Sequence, residues 1–165
     1  MKEEIIIVDE NDQQINTAEK LKAHEQGKLH RAFSILIFNS KGELLIQKRA
    51  KSKYHSAGLW SNTCCSHPRA GETLETATHR RLQEEMGFDC ELKEQFSFIY
   101  KVGFENGLTE HEFSHVFSGN FDGQPVPSPE EAENIKWVNL DELKEDIKAQ
   151  PDKYAYWFKI IVKKL

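Results

Sequence analysis

The chain has 165 residues, 38% of them hydrophobic with ten Phe, and a net charge of −5, which gives a pI of about 5.8. That length suits one domain with a real core, and the acidic balance argues against general binding of nucleic acid or anionic membranes. Any basic cluster should then be a local device for a small anion. The opening M-K-E-E-I-I-I-V-D holds only four consecutive apolar residues, so neither a signal peptide nor a membrane span of about 20 residues is expected. Three cysteines, two of them adjacent, make no disulfide framework, and a reduced, cytoplasmic protein is the expectation.

In chain order, Ile5 to Val8 reads as a short strand with D-E-N-D as its turn. Thr17 is an N-cap candidate for a helix from Ala18 to about Gln26, closed by Gly27. Leu29 to Phe38 is rich in β-branched and aromatic residues, and N-S-K-G-E turns it into Leu44 to Lys48 as a hairpin. The polar stretch Ala50 to Asn62 reads as a loop. Thr73 to Met86 has helical periodicity, with Leu74, Ala77, Leu82 and Met86 as its apolar positions. Glu91 to Val102 and Glu110 to Asn120 read as two long strands, followed by a turn or short helix in P-S-P-E-E-A-E and a final strand in I-K-W-V. L-D-E-L-K-E-D-I-K is an amphipathic helix, and Pro151 opens another that runs to the C-terminus. This order predicts an α/β fold: an α/β/α layered domain around a mixed sheet.

The stretch Ser61 to Phe88 concentrates the chemistry. A thiol and an imidazole at Cys65 and His67 suit proton transfer or metal binding. The following helix interleaves Arg80 and Arg81 with Glu84 and Glu85, a pattern suited to a divalent ion holding a phosphorylated substrate. Arg81 and Glu85 share a helix face at i, i+4; a plain surface ion pair there contributes roughly 0.3–0.5 kcal/mol. If the segment is extended, Cys64 faces away from Cys65. Cys90 reads as a small core residue. Glu110 and Glu112, two apart on a strand, point from one face, which is either solvated or holds a cation between the acids. His111 and His115 then point the other way, toward surface roles. His24, His30 and His67 with Glu110 and Glu112 would supply nitrogen and oxygen donors for an ion of the zinc, manganese or magnesium type, if the fold brings them together.

The segment through Glu72, Arg80, Leu82, Glu84, Glu85, Gly87 and Phe88 resembles the Nudix signature. It departs from that signature at Ser66, where a Gly belongs, and at Arg81, where a Glu belongs. An Arg in place of a metal-holding carboxylate should weaken metal-assisted hydrolysis and favour simple holding of a diphosphate. With His24-E-Q-G-K-L-His30 and R-A-F-S, L-W-S-N-T-C-C-S-H-P, R-R-L-Q-E-E-M-G, E-H-E at 110–112 and the late Y-W-F, the chain resembles the type I isopentenyl-diphosphate isomerases, roughly from His24 to Trp157.

That resemblance implies a Nudix-type domain over 1–165, with a short strand-helix extension over about 1–28. It implies Cys65 and Glu112 as catalytic residues and His24, His30, His67, Glu110 and Glu112 as ligands of one divalent metal (Zn2+, Mn2+ or Mg2+). Glu85 would serve a second, substrate-bridging Mg2+. Lys20, Arg49, Lys53 and Arg81 would contact the diphosphate, and Tyr100 and Trp157 would line the site. The implied reaction converts isopentenyl diphosphate to dimethylallyl diphosphate by adding one proton and removing another. Cys65 and Glu112 would then face the substrate from opposite sides, with the C-terminal helix as a lid. The implied partner is a small prenyl diphosphate; the charge balance points to no nucleic acid or membrane, and nothing in the sequence calls for an obligate interface beyond a monomer. Two rivals are a Nudix diphosphohydrolase acting on a nucleotide or related diphosphate and a non-catalytic zinc-binding scaffold.

Overall fold

The computed structural model describes residues 2–165. Its spine is β3 (His30–Phe38), a run of β-branched and aromatic residues buried along most of its length. β8 (Thr109–Asn120) lies parallel to β3 along its whole length, from His30 opposite Glu112 to Phe38 opposite Asn120. Three strands pair antiparallel with β3 in turn. β1 (Glu4–Val8) meets it at His30, β6 (Cys64–Ser66) between Phe33 and Ile35, and β4 (Leu44–Arg49) at Phe38. β2 (Gln14–Glu19) pairs with β1, β5 (Trp60–Ser61) and β9 (Ala132–Val138) pair with β4, and β7 (Lys93–Gly103) pairs with β8. One parallel pairing among antiparallel ones makes the sheet mixed, as the element order predicts.

Strand alternation on β3 divides the core into two layers. Phe33, Ile35 and Ile37 pack with Ala77, Leu82 and Met86 of α2 (Leu74–Met86). Leu36 faces the other way, into a cluster with Leu143 of α3 (Leu140–Ala149) and with Phe158, Ile161 and Val162 of α4 (Tyr156–Lys163). Each such side chain stabilises the fold by about 1.5–3 kcal/mol when fully buried. The helix expected over Thr73–Met86 forms with the Thr73 hydroxyl accepting from the Thr76 amide, and Gly87 ends it at φ +73°. A Cβ on Gly87 would lie 2.9 Å from the Val126 carbonyl oxygen, so the chain after the Glu84–Glu85 pair turns where only Gly fits.

Several local expectations give way to tertiary pairing. Thr17 is not an N-cap: it lies in β2 opposite Ile6, and α1 (Lys20–Gln26) starts only after the Glu4–Glu19 pair, with no side-chain cap. Cross-strand pairing supplies backbone partners that a lone cap cannot match. Gly27, at φ +64°, closes α1 as expected. The β3–β4 turn forms, but the two strands share only the Phe38–Leu44 pair, and β4 runs mainly along β9. The predicted loop over Ala50–Asn62 contains β5. The predicted C-terminal helix is broken. A 3-10 turn at Pro151–Lys153 stops where the Ala155 amide donates to the Trp60 carbonyl, and α4 begins at Tyr156. Among the described residues, no helix is long and apolar enough to cross a membrane.

Candidate active site and metal centre

The parallel register of β3 and β8 sets His30 beside Glu112. α1 delivers His24 from above, and the residue after β6 delivers His67. Glu110 and Glu112 are only 2% and 8% exposed, so the reading of their face as solvated fails. Two buried carboxylates at close quarters call for compensating positive charge.

The imidazoles are oriented accordingly. His24 Nδ1 lies 2.8 Å from the Lys20 carbonyl oxygen and His30 Nδ1 lies 3.0 Å from that of Lys28. Each Nδ1–H therefore donates to the backbone and leaves the Nε2 lone pair facing inward. Both Nε2 atoms are buried without a hydrogen-bond partner, as is His67 Nδ1. His67 Nε2 stands 3.1 Å, and His30 Nε2 3.5 Å, from the same Glu112 oxygen. One ligand atom from each of His24, His30, His67 and Glu112 lies within 4.8 Å of the others. Unpartnered imidazole lone pairs gathered around a carboxylate are the donor set of a divalent cation, and backbone carbonyls fixing the ring tautomers are the support such ligands ordinarily have. The residues fit a metal.

Charge states divide sharply across this centre. Burial drives His67 well below the ordinary imidazole value and lowers His24 as well, which leaves both neutral. Burial would lower His30 too, but Glu112, with the Lys28 carbonyl and Glu110 adding to it, raises the ring. Burial alone would raise Glu112, yet His30 and His67 hold its carboxyl well below the usual range. Burial, with Glu110 and Glu112 adding to it, pushes the Tyr100 phenol far up, so it stays protonated. Its hydroxyl contacts Glu110 at short range and Glu112 at 2.8 Å. A hydroxyl has one hydrogen to donate, so it cannot satisfy both carboxylates.

Cys65 lies on the same side of the sheet. It pairs with Ser34, which shares the parity of His30. Cys64 points to the opposite side, as alternation predicts, into the layer beneath α2. Burial raises the Cys65 thiol to about 12 despite Arg49, whose Nη1 approaches its sulfur at 3.6 Å. Cys65, Glu110, Glu112, Tyr100 and Trp157 line one cleft, together with Lys20, Arg49, Lys53 and Arg81. The indole of Trp157 is anchored by donating to Asn62 Oδ1 at 3.0 Å, and the Arg49 guanidinium sits 5.0 Å from its ring centre.

Glu85 does not line this cleft. It is buried behind Cys64, where its oxygens accept from Gln47 at 3.2 Å, from the Cys64 thiol at 3.2 Å and from Arg81 at 2.9 Å. The Arg81–Glu85 contact is thus a buried ion pair and not the surface pair that spacing alone allowed. Two groups escape a reading by sequence. Glu131 accepts from Lys53 at 2.8 Å and from Arg81 at 2.9 Å, so it bridges two of the expected anion-binding cations from across the fold. His55, hidden in a predicted loop, places Nε2 2.8 Å from Glu110. Neither belongs to a local motif; for His55 the one signal is the count of seven histidines in 165 residues. His111 points away from the site toward the Gly27 carbonyl oxygen at 3.2 Å. His115 also points away, but its expected surface role fails: it is 8% exposed and held between Asp12 at 2.9 Å and Glu94 at 2.7 Å. Cys90 is half-buried at the edge of the α2 layer.

Residues 28–158 match the NUDIX domain model. A Deinococcus radiodurans protein, DR0079, superposes with a TM-score of 0.82 over 98% of both chains at 21% identity, which shows the shared fold. The fold and the acidic helix define a Nudix-domain protein. The chain is also 55% identical, over 95% of its length and 83% of the relative's, to isopentenyl-diphosphate Delta-isomerase 2 of Aromatoleum aromaticum. It is 54% identical to the protein of that name from Photorhabdus laumondii, over 98% and 92% of the two lengths. The chain belongs to the isopentenyl-diphosphate Delta-isomerase family.

Proposed function

We propose that this chain interconverts isopentenyl and dimethylallyl diphosphate, with Cys65 and Glu112 as the two proton-transfer groups. The observation that carries this reading is a single cleft holding a protonated thiol and an ionised carboxylate, with cations beside them. A 1,3-shift of an unactivated double bond adds a proton to the terminal alkene carbon and removes one from the carbon two positions away. It therefore needs one group that carries a proton and one that lacks it, and the same pair with protons exchanged serves the reverse direction. Tyr100 holds a proton next to both acids and orients them.

The intermediate approaches a tertiary carbocation. Cation-π contact with Trp157 supplies about 2 kcal/mol in a dry pocket, far less than such a cation needs. Exclusion of water and the strength of the acid carry the remainder. Binding of the diphosphate by Lys20, Arg49, Lys53 and Arg81 fixes the hydrocarbon end against the reacting groups. His24, His30, His67, Glu110 and Glu112 would hold the divalent metal, which when bound offsets the charge of the paired carboxylates. Glu85 would hold the Mg2+ of the substrate. Arg81 also counts against the hydrolase alternative: it neutralises carboxylates that a hydrolase would commit to metal.

The test is incubation with isopentenyl diphosphate and Mg2+, scoring acid-labile allylic product against released phosphate. Allylic product without phosphate is expected. Cys65→Ser and Glu112→Gln should each abolish it while the circular dichroism spectrum and thermal transition persist. Phosphate release by the wild type, or turnover by either variant, would overturn the assignment.

A further inference from the structure

His55 is a seventh buried group at the metal centre, and nothing in the reading above employs it. Its loop is shaped to present it. Ser56 takes a positive φ of 52° and Gly58 one of 73°, and the Arg49 guanidinium donates to the His55 carbonyl oxygen at 3.3 Å. The ring is clamped flat on Phe104, with centroids 5.0–5.1 Å from its aromatic neighbours Tyr54 and Phe104, and it meets Trp157 edge-on. A bulky loop residue locked this way, 9% exposed, has a fixed address.

That address is the second carboxylate. Each acid gives one oxygen to Tyr100 and the other to imidazole: Glu112 to His67 at 3.1 Å, and Glu110 to His55 at 2.8 Å. His24, His55 and Glu110 each offer a ligand atom within 4.8 Å of the others, so His24 belongs both to this group and to the His30–His67–Glu112 group. The His24 ring also stacks over that of His55 at 5.9 Å. His24 is fully buried and its Nε2 has no hydrogen-bond partner, so a lone pair aims into the space between the two groups.

We propose that His55 is a ligand of the metal centre, a fourth imidazole that closes the site on the Glu110 side. The centre is then built from both carboxylates and from histidines of α1, β3, the β4–β5 loop and the segment after β6. This rests on the reading of the His–Glu cluster as a metal site. A fourth imidazole shifts the donor set toward nitrogen, which favours Zn2+ over Mg2+. It also ties the loop carrying Lys53, Tyr54 and His55 to metal occupancy.

The experiment titrates metal-free protein with Zn2+ against a chelator of known affinity, for wild type, His55→Ala and His55→Gln. It also locates zinc in crystals of the loaded wild type by anomalous diffraction. A wild type that takes up no zinc refutes the metal centre itself. Given uptake, the expected results are an affinity weakened in both variants by at least the roughly 10–100-fold that loss of a group hydrogen-bonded to a ligand already costs, and His55 Nε2 at about 2.0–2.1 Å from the ion. Equal affinity in the variants overturns the proposal. So does weakened affinity with zinc out of bonding range of His55, which would make it a positioning residue acting through Glu110. Thermal transitions of the metal-free variants serve as the folding control.

Discussion

Replacing Arg81 with Met tests the charge logic beneath the proposed diphosphate site. Arg81 is the departure from the Nudix signature, and in the fold its Nη2 lies 2.9 Å from both Glu85 and Glu131, while Nη1 lies 2.7 Å from Glu84. The Glu85 side chain is 3% exposed, so without Arg81 it keeps only the Gln47 amide and the Cys64 thiol as donors. Removing one partner of a buried ion pair costs about 3–5 kcal/mol. For a chain of this length about 1 kcal/mol corresponds to roughly 3 °C, so Tm should fall by about 9–15 °C. The loss should depend on pH. Burial raises the Glu85 carboxyl above its ordinary 4.5 even with Arg81 opposing it. A carboxyl raised in the folded state binds protons more tightly there, so its ionisation erodes stability as pH climbs above 4.5. Without Arg81 this erosion grows, and the loss should be larger at pH 8 than at pH 5. Calorimetry of metal-free protein is the assay, with Arg81→Met/Glu85→Gln as the companion: removing the buried charge should recover more than half of the loss. The reasoning is refuted if the single variant costs less than about 1 kcal/mol, or if the double variant is no more stable than the single.

Glu131 gives a separate acid signature. Burial would raise its carboxyl, but Lys53 and Arg81 hold it down at about 2. Its contribution is therefore present above its ordinary 4.5 and lost as pH falls through 2. Glu131→Gln should flatten the decline of unfolding free energy over that window in urea titrations, and an unchanged slope contradicts the bridge. Tyr100→Phe removes the donor shared by two carboxylates, a charged hydrogen bond worth about 1.5–3 kcal/mol, so kcat should drop roughly 10–100-fold with the fold retained; a kcat within twofold of wild type removes Tyr100 from the site. Stripping divalent metal with a chelator should lower Tm, because ligand at 100 times its Kd stabilises by about 2.7 kcal/mol. An identical Tm with and without Zn2+ counts against a metal at the histidines.

The sequence determined those features whose cause is local. Alternation placed Cys64 and Cys65 on opposite sides of one short strand and aimed Glu110 and Glu112 the same way. Helical spacing set Arg81 against Glu85, and Gly27 and Gly87 ended their helices. Tertiary structure decided what depends on partners distant in sequence. Thr17 became strand because β1 offered it a ladder, and the last helix broke because Ala155 found a carbonyl on Trp60. The same cause separates the readable part of the site from the unreadable. Motif residues announce themselves by fixed spacing. Glu131 reaches Arg81 from 50 positions away, and His55 reaches Glu110 from the tip of a loop. The ion pair of Arg81 and Glu85 is visible in the spacing, but its burial, which makes the loss of one partner far costlier than the loss of a surface contact, comes only with the sheet that covers it.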